Sequence, residues 1–134
     1  MIVIDSNIVF SMLLKNNKFF NILQKENKKF VIPKFLFVEI FKYKEKISKY
    51  SKLYEEEILE VLYEILKSVT IVDEDLISNK SYKIAYDLVK DVDEKDIVFI
   101  ALCIEFNAQL WTGDKKLIKG LKEKNFLNFY KEEL

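Results

Sequence analysis

Short runs of Ile, Val and Leu alternate along the chain with longer stretches in which apolar positions recur every three or four residues. Residues 1–4 are an Ile/Val run that reads as a buried strand. Asp5-Ser6-Asn7 follows, three residues of the N-capping type, and residues 8–14 read as a short helix. A helical stripe of Phe19, Phe20, Ile22 and Leu23 marks residues 17–26. Residues 29–32 are a second short strand. Pro33 suits the first turn of the helix after it, which carries Phe35, Leu36, Val38, Ile40 and Phe41 and is expected to run to about Ile47. Tyr54, Ile58, Val61, Leu62 and Ile65 put one apolar face on a helix over 54–66. A third strand is expected over 69–72, helices over 76–89 and 93–106, a fourth strand over 109–112 and a last helix over 115–124. Residues 127–130 suggest an edge strand.

Strands alternating with longer helices imply βαβ crossovers and a parallel sheet. The expected fold is α/β, a Rossmann-like three-layer sandwich around a mostly parallel sheet of four or five strands. Glycine and proline are scarce, with two and one in 134 residues, and no linker or repeat divides the chain, so residues 1–134 read as one domain. Parallel sheets carry their functional residues beyond the carboxyl ends of the strands. Acidic residues stand at several of those ends: Asp5 after the first, Asp73, Glu74 and Asp75 after the third, Asp114 after the fourth.

Composition narrows the chemistry. The chain has no His and one Cys, which excludes imidazole catalysis, an internal disulfide and a thiolate zinc site. Any metal must be held mainly by oxygen, and any general base must be a carboxylate, Lys, Tyr or water. Lys+Arg and Asp+Glu both count 22, so the net charge is zero, and every cation is Lys. Bulk electrostatics therefore does not announce a polyanionic partner; one would have to be bound through local patches or metal. The longest apolar run, residues 97–104, is far shorter than the roughly 20 residues of a membrane span, and Asp5 interrupts the start where a signal peptide would build its apolar core. No membrane association and a cytoplasmic location are expected.

Each acid has a plain structural role open to it. Asp5 and Asp114 sit where helix caps belong. Asp93 and Asp96 share one face at a helix start, where anions are favoured. Glu39 lies in the run Phe35-Leu36-Phe37-Val38-Glu39-Ile40-Phe41, where a carboxylate is costly unless paired, for instance with Lys42, or bound to metal. Together they point elsewhere. Acids from separate elements, gathered by a parallel sheet, repel one another unless a cation bridges them. An all-oxygen site suits Mg²⁺ or Mn²⁺, which serve phosphodiester hydrolysis.

Four segments carry a resemblance to a known family: Val3-Ile4-Asp5-Ser6-Asn7, Val38-Glu39-Ile40, Asp93-Glu94-Lys95-Asp96-Ile97-Val98-Phe99-Ile100-Ala101-Leu102, and Leu110-Trp111-Thr112-Gly113-Asp114-Lys115. In order and spacing, over essentially the whole chain, they resemble the PIN domain, the α/β nuclease fold of VapC-type toxins and of RNA-processing and surveillance nucleases. The resemblance implies a metal-dependent endoribonuclease acting on single-stranded or structured RNA, with Mg²⁺ or Mn²⁺ as cofactor. Asp5, Glu39 and Asp96 match the family's first three metal-binding acids. Asp114 matches the fourth, which binds a second metal or a water on it. Asp93 is an extra acid of one subgroup, ranked below Asp96 as a ligand. Asn7 matches a polar position that supports the first acid, and Thr112 a Ser/Thr position near the site.

The implied biology is the toxin of a type II toxin–antitoxin pair, with an antitoxin protein and a homodimer as expected partners. The rivals are a PIN-fold module that binds RNA or protein without cutting, and an RNA-processing nuclease outside any toxin–antitoxin system. A dehalogenase-type phosphatase wants Asp-x-Asp after the first strand, and a receiver domain wants paired acids there; Asp5-Ser6-Asn7 offers neither. Lys115, Lys116 and Lys42 are candidate RNA contacts. Lys42, Lys44, Lys46, Lys49 and Lys52, interleaved with Tyr43 and Tyr50, either grip a single strand or form a solvated helix end. Phe19, Phe20, Phe35, Phe37 and Phe41 are candidates for core or for a partner-binding face, and Cys103 for inert packing.

Overall fold

Strand β1 (Ile2–Ile4) is buried along its whole length because it is hydrogen-bonded on both sides and covered on both faces, the setting in which a strand needs no polar alternation. The computed structural model describes residues 1–14 and 17–132. After β1 come α1 (Ser6–Leu14), α2 (Asn17–Lys25), β2 (Phe30–Pro33), α3 (Lys34–Lys42), α4 (Lys44–Tyr50), α5 (Glu55–Ser68), β3 (Val69–Val72), α6 (Asn79–Val89), α7 (Ile97–Phe106), β4 (Gln109–Trp111) and α8 (Lys115–Glu123). Single 3₁₀ turns at Glu74–Leu76 and Glu94–Asp96 precede α6 and α7.

The four strands form one all-parallel sheet in the order β3-β2-β1-β4. Right-handed crossovers then fix the layers. The path β1 to β2 to β3 runs one way across the sheet and places α1, α2 and α5 together on one face. The return from β3 to β4 crosses behind, so that α7 packs on β1, β2 and β4 with α6 against it. The α/β three-layer fold expected from the sequence is therefore present, with four strands and no antiparallel member among the described residues. Because the order reverses beside β1, the carboxyl ends of β1 and β4 form the switch point at which parallel sheets carry their functional residues. Trp111, Phe30, Ile4 and Leu102 are among the largest side chains of the core between the layers. Among the described residues, no helix is long and apolar enough to cross a membrane.

Four local expectations need correction. The helix expected to run from Pro33 to Ile47 breaks at Tyr43 (φ −100°, ψ 16°), and the turn aims α4 so that Ile47 is buried beside α1. Pro33 ends β2 and stands at the cap position, one residue ahead of the first turn of α3. The helix starts expected at 76 and 93 are 3₁₀ turns, each closed by an aspartate side chain, Asp73 on the Asp75 amide and Asp93 on the Lys95 amide. The edge strand expected over 127–130 reduces to one parallel bridge between Phe129 and Leu110. The Phe129 amide turns back onto the Leu127 carbonyl, 3.0 Å away, which curls the segment out of extended geometry.

Candidate active site

Asp5 is the first residue beyond β1, and its amide still donates to the Trp111 carbonyl of β4 at 2.9 Å. That bond leaves the carboxylate buried at the switch point, 2% exposed. Thr112, the first residue beyond β4, donates its hydroxyl to Asp5 Oδ2 at 2.7 Å, and the Ser6 hydroxyl reaches Oδ1 at 3.4 Å. Burial pushes the Asp5 carboxyl above its ordinary range, the bonds from Thr112 and Ser6 pull it back, and the Asp114 charge pushes it up again.

Asp96 closes the 3₁₀ turn and stands at the N-cap of α7, yet its side chain makes no capping hydrogen bond. Its carboxyl is pushed up to about 7, first by burial and then by the charges of Asp5, Asp93 and Asp114. These acids therefore share one electrostatic neighbourhood, although they come from the ends of β1 and β4 and the start of α7. Asp114 is half-buried and caps α8: Oδ1 accepts the Leu117 amide at 3.1 Å, and its own amide donates to the Thr112 hydroxyl at 3.1 Å. Thr112 thus links two of the acids. Asp93 is exposed and occupied as a local cap.

The other candidates are placed differently. Glu39 lies inside α3 and is half-buried, but it is not among the charges that raise Asp5 or Asp96. The apolar enclosure expected around it is absent, because Val38 and Phe41 are 57% and 67% exposed and only Leu36 and Ile40 of α3 are buried. The acids after β3 are likewise apart: Asp73 pairs with Lys34 at 3.4 Å, and Glu74 accepts the Phe35 amide at 3.2 Å. Asn7 is exposed in the first turn of α1, so the neighbour that touches Asp5 is Ser6. Sequence reasoning passed over Ser6, and its one signal is a hydroxyl directly after the acid. Lys115 and Lys116 are exposed beside Asp114, and Lys42 is exposed on α3 with its Nζ 5.5 Å from the Tyr43 ring centre. Lys44 stands 4.2 Å from the centre of the Phe41 ring, so the basic run is laid over exposed aromatics.

The donor chemistry suits a hard divalent cation, with carboxylate oxygens only and two acids whose ionised forms are disfavoured by burial and by neighbouring acids. Among the described residues, no three acid side chains are placed to share one ion. That arrangement still fits Mg²⁺, which keeps several waters and commonly takes one or two carboxylates from the protein.

A family model described as the PIN domain matches residues 3–131. No curated protein matches the chain. Among solved structures, a chain of VapBC2 from Rickettsia felis, bound to a DNA fragment from their promoter, is similar over 96% of this chain and 96% of that one. The identity is 21% and the TM-score 0.61, a likeness of fold.

Proposed function

The chain belongs to the PIN domain family, and from that premise we propose that it is a divalent-metal-dependent endoribonuclease cutting single-stranded RNA, acting as the toxin of a toxin–antitoxin pair. The observation that carries the reading is the pair Asp5 and Asp96 at the switch point beside β1, with Asp96 raised first by burial and then by the charges of Asp5, Asp93 and Asp114. Acids held together against their own repulsion are what a cation-dependent site requires. The likeness in fold to the VapBC2 chain supports the toxin assignment and an antitoxin protein as partner.

Asp5 and Asp96 would hold Mg²⁺ or Mn²⁺, with Glu39 and Asp114 acting through bound water. When bound, such an ion supplies an activated water and a charge that stabilises the leaving oxygen. The protein's own part is orientation. Thr112 fixes Asp5 Oδ2, and Ser6 fixes Oδ1. Asp114 commits Oδ1 to the Leu117 amide and keeps its second oxygen for a water or an ion. Lys115 and Lys116, exposed beside Asp114, would contact substrate phosphate. With no His in the chain, cleavage is expected to leave 5′-phosphate and 3′-hydroxyl ends rather than a cyclic phosphate.

The test is cleavage of a labelled single-stranded RNA with Mn²⁺, Mg²⁺ or EDTA, comparing the protein with folded Asp5→Asn and Asp96→Asn variants. Metal-dependent cutting that both variants lose is the expected result. Equal cutting by the variants would trace the activity to a contaminant. Binding without cutting would replace the nuclease with a PIN-fold binding module.

A further inference from the structure

We infer that α8 is a track for the RNA strand leaving the acids, with Lys115, Lys119 and Lys122 contacting successive phosphates. The inference rests on the nuclease reading and extends it from the reacting phosphate to its neighbours. Helix α8 begins at the acids, since Asp114 is its N-cap and its charge acts on Asp5 and Asp96. Its inner face is apolar, with Leu117 and Leu121 buried. Lys115, Lys119 and Lys122 recur at i, i+4 and i+7 and line one shallow groove of about 440 Å³ with Ile118 and Glu123. At a rise of about 1.5 Å per residue, Lys119 and Lys122 stand about 6 and about 10 Å along the axis from Lys115, steps on the scale of one nucleotide of an extended strand.

Charge and rigidity both favour this occupant. The nine residues of α8 carry four lysines against one glutamate, in a chain whose net charge is zero. Among the described residues, Lys115 and Lys119 have no ion-pair partner, and Lys122 stands 5.9 Å from the Phe129 ring centre. Lys124, just past α8, is by contrast committed: it bonds the Asp87 and Leu88 carbonyls at 3.1 and 3.2 Å and Asp91 at 3.2 Å. Those bonds pin the far end of α8 to α6, and the Asp114 cap pins the near end. Gly120 brings its middle against Val92, close enough that a Cβ there would lie 2.5 Å from a valine methyl. The lysines are thus presented on a fixed rail, and Glu123 closes its far end.

The experiment uses Asp96→Asn protein for binding and otherwise native protein for cleavage. In each background a Lys119→Gln/Lys122→Gln double variant is compared with Lys28→Gln/Lys29→Gln, exposed lysines ahead of β2 at the amino ends of the strands, opposite the acids. Losing two phosphate contacts should reduce the slope of log affinity against log salt by about 1.4 and weaken binding roughly 25-fold at 0.1 M salt. KM should rise with kcat nearly unchanged. Trimming the RNA on one side of the cut should abolish the difference, whereas trimming the other side should not. An unchanged slope and KM in a protein that still cuts RNA would overturn the track and leave the nuclease reading standing. Equal weakening by the Lys28/Lys29 variant would show a general charge effect and also overturn it. A native protein that neither binds nor cuts RNA would overturn the nuclease reading, and the track with it.

Discussion

Thr112 donates its hydroxyl to Asp5 across 107 residues of sequence, at 2.7 Å, and the same oxygen accepts the Asp114 amide. One hydroxyl therefore ties the ends of β1 and β4 together and orients two acids. Thr112→Val keeps the shape and removes both bonds. It should cost about 1–3 kcal/mol, because the buried carboxylate loses its best donor. It should also raise the Mn²⁺ concentration needed for half-maximal cleavage, whereas Thr112→Ser should restore both properties. Urea unfolding in EDTA and a Mn²⁺ titration of activity check the two parts separately.

Asp96 makes stability depend on pH in a direction opposite to the usual carboxylate. Its carboxyl is near 7 in the folded protein against 3.8 ordinarily, so between those values the folded chain holds a proton that the unfolded chain has released. Stability must fall as pH rises through that window, and Asp5, also raised, acts in the same sense. In EDTA the protein should melt at a higher temperature at pH 5.5 than at pH 8. Asp96→Asn should flatten the difference, and Mg²⁺ at pH 8 should recover what native protein loses. A melting temperature that climbs from pH 5.5 to pH 8 in EDTA would contradict the assignment.

The parts of the fold readable from sequence are those in which local pattern and tertiary setting agree. β1 is an unbroken apolar run because it is buried on every side, and Asp5 stands out as the first charge after it. The break at Tyr43 follows from a demand that Ile47 be buried, which lies outside the helix itself. The apolar enclosure expected around Glu39 is absent for a related reason. Residues adjacent in sequence point in different directions around a helix, so Val38 and Phe41 face solvent and do not enclose it. The Thr112–Asp5 bond and the approach of Gly120 to Val92 have no local signature, since each joins residues far apart in the chain. The acids at strand ends needed only the topology rule for parallel sheets, and the structure separates those near β1 from the caps near β3.

Glu39 offers a test that separates function from stability. Its side chain is half-buried and makes no hydrogen bond among the described residues, so Glu39→Gln should change stability by no more than about 0.5 kcal/mol. If it contributes a ligand, cleavage should fall at least tenfold and recover partly at high Mn²⁺. Full activity at every metal concentration would remove Glu39 from the site.

Gly120 and Val92 set how closely α8 approaches the turn that carries Asp93 and Asp96. A methyl group at position 120 would meet Val92 Cγ2 at 2.5 Å and Cγ1 at 3.4 Å. Ala is favoured over Gly within a helix by about 1 kcal/mol, so on helix propensity alone Gly120→Ala would stabilise the protein. Overpacking against a β-branched side chain costs about 1–3 kcal/mol and should win. Gly120→Ala should therefore lower the melting temperature. Adding Val92→Ala should recover most of the loss, because it removes the methyls that collide. Activity should follow the same pattern, since displacing α8 disturbs the Asp114 cap at its start. Thermal melts of the two single variants and the double variant give the coupling energy directly. Strictly additive effects would mean that the two residues do not set this distance.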